Sequence, residues 1–381
     1  MNAVNPIEVP VSLIGHPFAP IGKGEDMRCY YRGFKAVGIR PQVVNVYGGK
    51  PRDCELEREL ADDLRATSAG GIDIFCINGD EVEPVLAHLG SQRADPDFSI
   101  VVPFWELSRY PASWARQLER FDEIWVASDF IRDAIAPELD RPVTVIPSST
   151  GFKPGASAGR RHFSIPESAY AFLFGFDLRS YHERKNPFAV VEAFAEVIRA
   201  RPRRDMVLVV KMSGADDRPE AADEIRGRLA DRTANLGLGR VSLIERDLTD
   251  RETKDLVRCC DCFISLHRSE GFGRFLAEAM LLGRPVIGTA YSGNMAFMNP
   301  DVSCLVDFRL IPVAPGAYPF WEDQVWAEPD LEEAVAWMTR LVDDPAWGRR
   351  LGQRGSTHIR SHFSYRAVGL QYLERLRRIL G

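Results

Sequence analysis

Two carboxylates, Glu270 and Glu278, stand in the stretch SEGFGRFLAEAMLLGRPVIGT with seven residues between them. Carboxylates accept hydrogen bonds from diols, and a sugar or a ribose offers diols. Between the two lie Gly271, Phe272 and Gly273, where small residues let a backbone approach a ligand closely. The loop then runs into an apolar, helix-forming segment. A helix start offers unbonded N–H groups and the positive end of the peptide dipoles to an anion. At helical rise the two glutamates lie on the order of 12 Å apart along the axis. A phosphate-sized anion fits between them, and a nucleotide-diphospho-sugar has that order of groups: hydroxyls, pyrophosphate, ribose hydroxyls. A dinucleotide-binding Gly-x-Gly-x-x-Gly would need glycine where Leu276 stands, which argues against a nicotinamide cofactor. The plain alternative is a loop acid followed by a solvated helix face.

These residues need elements to hold them. Cys262 to Leu266 reads as a buried strand, Arg274 to Leu282 as a helix stopped by Gly283 with Pro285 beyond, and Val286 to Thr289 as the next strand. Ligands of such units gather where strands end and helices begin. The same alternation fills the chain. Strands are expected at Val11–Ile14, Gln42–Val46, Ile72–Ile77, Ile100–Pro103, Glu123–Val126 and Val143–Ile146, with helices between them, the first at Glu25–Val37. Ser148 to Ser168, rich in Gly, Ser and Pro, reads as a connection. A second series follows: strands at Ala171–Phe176, Val207–Met212 and Val241–Ile244, helices at Pro187–Ala200, Glu220–Leu236 and Arg251–Cys260. Phe308 to Glu328 reads as a long loop, and three helices finish the chain. The expected architecture is α/β, with two doubly wound domains facing across a cleft. Their bounds would be 1–150 and 151–362, with 363–381 as a last helix.

Further residues at strand ends carry charge. The loop DLRSYHERKNP places Arg179, Arg184 and Lys185 after the Ala171 strand, where a cation would stabilise a departing pyrophosphate; solvated loop charges are the alternative. Gly22 and Gly24 open the first helix and could touch a diphosphate or a sugar, or simply make a turn. Glu106, beside Trp105, could orient an acceptor hydroxyl or act as a base, or else sit in a salt bridge with Trp105 as a core residue. His16 and His267 occupy loops on the same edge and are read as structural. Arg28, Arg32 and Lys35 share one helix face, which either docks on anionic lipid or is solvated.

Composition narrows the classes. The chain has 381 residues, 45% hydrophobic and 27% charged, with a formal charge of −6, which does not suit a general nucleic-acid binder. Seven cysteines without framework spacing fit a reducing compartment. Cys259, Cys260 and Cys262 lack a second metal-spaced cluster and read as core. No apolar run has the length of a spanning helix, and the start shows no signal-peptide pattern, so a cytoplasmic protein is expected.

The central stretch resembles the signature of the large retaining glycosyltransferase family 4, whose fold is the two-Rossmann-domain GT-B type. GHPFAPIGKGE, PFWELSRYP with FDEIWVASDF, FDLRSYHERKNP, SLHRSEGFG, AYSGNMAFM and WAEPDLEEAVAWM follow in the family's order. They look most like a bacterial branch that builds surface polysaccharides. The resemblance implies that Glu270 holds the donor hexose, Gly271–Gly273 its β-phosphate and Glu278 the ribose. It implies that Lys185 and an arginine neutralise the diphosphate, that Met212 to Gly214 lie near the base, that Ser292, Gly293 and Asn294 flank the donor, and that Gly22 and Gly24 close on it. The last helix would cross back to the first domain. Ser180 stands where the family has arginine, so Arg179 or Arg184 must substitute, and the first domain lacks the family's cleft histidine. The implied reaction moves a hexose, with GDP-mannose as first guess, to a glycan or lipid-linked acceptor. It needs no metal or other cofactor, and it could run at the inner membrane face. The alternatives are an inactive sugar-nucleotide-binding partner and an epimerase of the same fold.

Overall fold

The computed structural model describes residues 8–19, 22–48, 55–90, 94–152, 158–234 and 240–381. The chain divides into two compact units, one of residues 1–151 and 361–381, the other of residues 152–360.

The first unit is built on a sheet of seven strands: β1 (Val11–Gly15), β2 (Gln42–Asn45), β3 (Leu64–Arg65), β4 (Ile72–Phe75), β5 (Phe98–Val101), β6 (Glu123–Val126) and β7 (Val143–Val145). Their order is β3-β2-β1-β4-β5-β6-β7, and all pairs are parallel. Every residue of β1 and β4 is buried. Helices cover both faces, so these strands show no regular apolar/polar alternation; Ser12 and Asp73 are buried with the apolar residues, and Asp73 accepts from Ser68. Chain order reverses between β1 and β4, so the loops after these two strands splay apart and leave a crevice at their carboxyl ends.

The last helix, Tyr365–Leu380, belongs to this unit. It packs on the Gly22–Ala36 helix, where Tyr372 stacks on Tyr30 with ring centroids 4.8 Å apart. The helices come close because both carry glycine at the crossing: a Cβ on Gly369 would lie 2.2 Å from the Gly33 carbonyl oxygen. Arg375 makes a forked pair with the wholly buried Glu123 of β6 at 2.8 Å, fixing the helix to the sheet. This packing changes the reading of the basic helix face. Arg28 is buried and donates to the carbonyls of Pro17 and Ala19 as well as to Glu25. Arg32 bonds Glu25 and the Tyr365 hydroxyl. Of the three, only Lys35 is exposed, so they do not form a stripe that a lipid surface could meet. Among the described residues no helix is long and apolar enough to cross a membrane.

The second unit holds six parallel strands: β8 (Tyr170–Asp177), β9 (Met206–Ser213), β10 (Val241–Ile244), β11 (Cys262–Ser265), β12 (Val286–Thr289) and β13 (Cys304–Val306). Their order is β10-β9-β8-β11-β12-β13, so the reversal here falls between β8 and β11. Phe172, Phe174, Leu208, Val210 and Ile264 form part of a core closed by the Pro187–Ala200 and Leu331–Asp343 helices. The expected helix end at Leu236 lies outside the described residues; the helix spans Pro219–Thr233. One expectation is corrected. Phe308 to Glu328 is not a plain loop but an antiparallel hairpin, β14 (Phe308–Pro312) paired with β15 (Val325–Pro329). Each strand is short and ends in proline, and the connection between them is long, so no tight-turn signal marks the pair in sequence.

A side chain at Gly369 should wedge the last helix off the first. Gly369→Val is expected to cost about 1–3 kcal/mol. Urea denaturation should show this loss.

Candidate functional site

Site geometry begins with the reversal in the second unit. The loop after β8 carries Arg179, Arg184 and Lys185; the loop after β11 carries Glu270. Although 85 residues apart in sequence, Lys185 Nζ and Glu270 Oε1 are 2.5 Å apart. Arg184 donates to Glu270 Oε2 at 3.1 Å and to the Ser269 carbonyl at 2.8 Å. The Arg184 side chain is only 4% exposed and that of Glu270 11%. Burial alone would raise the Glu270 pKa, but Lys185 and Arg184 pull it down to about 2. The carboxylate is therefore charged at any working pH and serves two cations.

Several contacts hold the Glu270 loop. The Glu270 N–H donates to Ser292 Oγ at 2.8 Å, and the Gly293 N–H donates to the Glu270 carbonyl at 2.8 Å. These bonds join the loop after β12 to the loop after β11. Gly293 must be glycine, since a Cβ there would lie 1.8 Å from the Gly271 carbonyl oxygen. Beneath them His267 is wholly buried. The Asn294 amide nitrogen donates to the Thr289 carbonyl, so its oxygen faces His267 Nε2 at 3.0 Å, and His267 Nδ1 meets the Ser265 hydroxyl at 3.1 Å. Burial lowers the His267 pKa, keeping the ring neutral with its proton on Nε2. It is a bolt between two loops.

Gly273, in left-handed backbone at φ +87°, opens the Arg274–Leu281 helix, and no side chain caps it. Phe272 is buried against Phe297. Glu278 lies within this helix, its carboxylate 3.8 Å from Lys254 on the neighbouring Asp250–Cys259 helix. Among the described residues, no group of three or more His, Cys, Asp or Glu could hold a metal ion.

The two candidate arginines part company. Arg184 turns inward to Glu270. Arg179 turns to an acidic group at the ends of β8, β9 and β10, with Asp177 at 2.9 Å, Asp217 at 3.1 Å and Asp247 at 3.7 Å. Gly214 lies against it, following Met212 and Ser213 at the end of β9: a Cβ on Gly214 would stand 3.0 Å from both Arg179 Nε and Asp177 Oδ1.

One residue that the sequence reading left out is central. Arg268 donates to Glu328 at 2.8 Å and to the Glu183 carbonyl at 2.9 Å, lies over the Trp326 ring, and its N–H donates to the Arg184 carbonyl at 2.8 Å. It joins the β8 loop, the β11 loop and the hairpin. Nothing local marks it, since its partners are 60 and 85 residues away.

The first unit has its own cluster at its own reversal. After β4, Glu81 accepts from Lys23, from His16 Nε2 at 2.8 Å and from the Asn78 N–H at 2.8 Å. Burial opposes its charge, while His16 and Lys23 bring its pKa down to about 2. His16 and Lys23 come from the β1 loop and the helix after it, and the His16 ring stacks on Tyr47 at 4.1 Å. Gly22 is exposed at the start of that helix; Gly24 is buried, with the Ala19 carbonyl oxygen 2.2 Å from where a Cβ would stand. Glu106 is half-buried in the loop after β5, beside Trp105, whose Nε1 donates to the Arg109 carbonyl at 2.7 Å.

Against solved structures the chain resembles the Anabaena Alr3699/HepE protein crystallised with UDP and glucose, with a TM-score of 0.68 at 14% identity over 97% of this chain and 100% of that one. It resembles sucrose-phosphate synthase from Thermosynechococcus elongatus with a TM-score of 0.69 at 18% identity, over 98% and 99% of the two chains. The fold is GT-B. Residues 172–311, which hold the Glu270 site, match the family model described as glycosyl transferases group 1. In sequence, the MMP alpha-(1->4)-mannosyltransferase of Mycolicibacterium hassiacum is 29% identical over 140 residues, 36% of this chain and 29% of that protein. The D-inositol 3-phosphate glycosyltransferase of Thermobispora bispora is 28% identical over 159 residues, 41% of this chain and 36% of that protein. The matched stretches thus cover about a third of the length of these curated relatives.

Removing the Glu270 charge leaves Arg184 buried beside a neutral group. Glu270→Gln is expected to destabilise the second unit by about 3–5 kcal/mol at neutral pH. Because the wild-type carboxyl is held near 2 against 4.5 in a free chain, its contribution is complete above about pH 4.5 and is lost as pH falls through about 2. Urea denaturation of both proteins at neutral and acid pH should show the gap narrowing on acidification.

Proposed function

We propose that the chain is a retaining glycosyltransferase that uses a nucleotide-diphospho-sugar as donor. The observation that carries this reading is the pairing of Lys185 with Glu270 at the strand reversal of a GT-B unit, in the stretch that matches group 1 glycosyl transferases. Glycosyltransferase relatives, and a structural neighbour crystallised with UDP and glucose, support it.

In this reading Glu270 receives hydroxyls of the donor hexose. Lys185 has three donors, so it can keep one on the carboxylate and turn another to the departing diphosphate. The N–H groups at Gly271–Gly273 and the helix start share that charge. Glu278 receives the ribose hydroxyls, with Lys254 behind it, and Met212 to Gly214 lie toward the base. Ser292 and Gly293 hold the Glu270 loop in place. Arg184 orients Glu270 from behind and Arg179 orders the β8 loop, leaving Lys185 as the cation that meets phosphate. Gly22 and Gly24 are assigned to the donor by resemblance, and Glu106 to the acceptor by its place at the carboxyl end of β5.

The C1–oxygen bond of the donor breaks toward the diphosphate. The acceptor hydroxyl bonds C1 on that same face and passes its proton to the departing phosphate oxygen, so the anomeric configuration is kept. Charge work is assigned to Lys185 and the helix end, and the reaction as proposed uses no metal. GDP-mannose is the donor to test first, beside UDP-sugars, and a glycan or lipid-linked hydroxyl is the acceptor, in polysaccharide or glycoconjugate assembly. The six described cysteines are free thiols, which suits the cytoplasm, including the inner membrane face.

A thermal-shift series with GDP-, UDP-, ADP- and dTDP-sugars, with and without Mg²⁺, tests the donor site. One nucleotide is expected to raise the melting temperature without metal. The shift should shrink in Glu278→Ala. Lys185→Ala should lower kcat by about 10²–10³-fold, as loss of one transition-state donor does. No shift with any nucleotide would remove the reading.

A further inference from the structure

Among the described residues six non-glycine residues have positive φ, and five of them lie in three segments around the Glu270 site. Tyr181 and Asn186 are in the β8 loop, Ser292 follows β12, and Phe320 and Asp323 lie between β14 and β15. For bulky aromatic residues such a backbone is costly, and surrounding packing must enforce it. Tyr181 (φ +58°) and Phe320 (φ +53°) are each 42% exposed despite being large and apolar. Tyr181 packs its ring on Tyr318 of the hairpin loop at 4.9 Å, tilted by 55°. It also stands one turn before Lys185, and its carbonyl accepts the Arg184 N–H at 3.2 Å.

The hairpin loop is firmly built. The Val313 N–H donates to the Gln324 carbonyl at 2.9 Å and closes the loop at its base, and Gln324 is buried. Arg268 and the bond from the Ala327 N–H to the Arg268 carbonyl, 3.0 Å, fix the hairpin two residues from Glu270. The Tyr181–Tyr318 contact thus ties the hairpin loop to the β8 loop that carries Lys185, and exposed aromatic side chains stand in both loops.

We propose that Tyr181 and Phe320, supported by Tyr318, form a platform for a pyranose ring of a glycan acceptor, carried by the second unit itself. Aromatic faces pack on the apolar C–H face of a sugar while its hydroxyls stay in water, and rigid rings do so with little entropy to lose. A sugar is the occupant because the surface adjoins, through the β8 loop, the carboxylate assigned to a donor sugar. The proposal rests on the donor reading above, and its test separates the two.

The full chain is saturated at its aromatic protons in NMR, in the presence of the nucleotide that raises the melting temperature. The probes are methyl α-mannopyranoside, methyl α-glucopyranoside, methyl β-N-acetylglucosaminide and maltose. Saturation is expected on the ring C–H protons of at least one probe. It should be lost in Tyr181→Ala and Phe320→Ala and kept in Tyr181→Phe, with the nucleotide shift unchanged in all. Phe320→Leu keeps the apolar volume without the ring and should also lose the signal; it serves if an alanine variant does not fold. In transfer assays the alanine variants should raise acceptor KM by about fivefold or more and leave donor KM unchanged. Probes that give no signal, or a signal equal in the variants, while nucleotide still binds, would overturn the platform and leave the donor site standing. Absence of any nucleotide shift would overturn both.

Discussion

The buried carboxylate of Glu270 is the constraint around which the second unit is arranged. An ionised carboxyl so far from water survives only if it is neutralised and bonded. Lys185 takes one oxygen and Arg184 the other, and the backbone on either side of Glu270 is bonded to Ser292 and Gly293. The two cations come from the loop after β8 and the two backbone partners from the loop after β12, so Glu270, itself after β11, draws three strand ends together. Arg268 repeats the arrangement with opposite sign, a cation that gathers the β8 loop, the β11 loop and the hairpin.

Both units solve the same problem in the same place. In each, a glutamate follows the strand on one side of the reversal and a lysine follows the strand on the other: Glu81 with Lys23 in the first, Glu270 with Lys185 in the second. Parallel strands leave all their carboxyl ends on one edge, and the reversal opens that edge between two neighbours. A charged pair across the opening fixes its width and leaves polar groups facing outward. The second partner of the glutamate differs. It is a buried arginine in one unit and a histidine stacked on a tyrosine in the other, so the two openings offer different chemistry to a ligand.

The arginines of the β8 loop show how tertiary context divides like residues. By sequence, Arg179 and Arg184 are two interchangeable cations beside Lys185. In the fold, three carboxylates from the neighbouring strand ends surround Arg179, while Arg184 lies under the Glu270 loop. A short helical turn, His182–Lys185, sets Arg184 and Lys185 on adjacent positions that reach the two oxygens of one carboxylate. The basic stripe of the first helix dissolved for the same reason, since Glu25, nearby carbonyls and the last helix occupy its charges.

The sequence by itself determined the α/β class and the strand and helix alternation, and it singled out the Glu270–Glu278 stretch as the candidate chemical centre. These are local signals: apolar runs for strands buried on both faces, glycine and proline at helix ends, and a glycine loop before a helix. Only the tertiary structure decided which strands are neighbours, and so which distant residues meet. Lys185 and Glu270, Arg268 and Glu328, Tyr181 and Tyr318 are each separated by tens of residues. No spacing rule reaches that far. The hairpin of β14 and β15 was hidden because pairing across a long connection leaves no turn signature. Arg268 was similarly silent, and His267, read from sequence as structural, had no visible partners, because the worth of a buried polar side chain lies in its partners, and the fold alone supplies them.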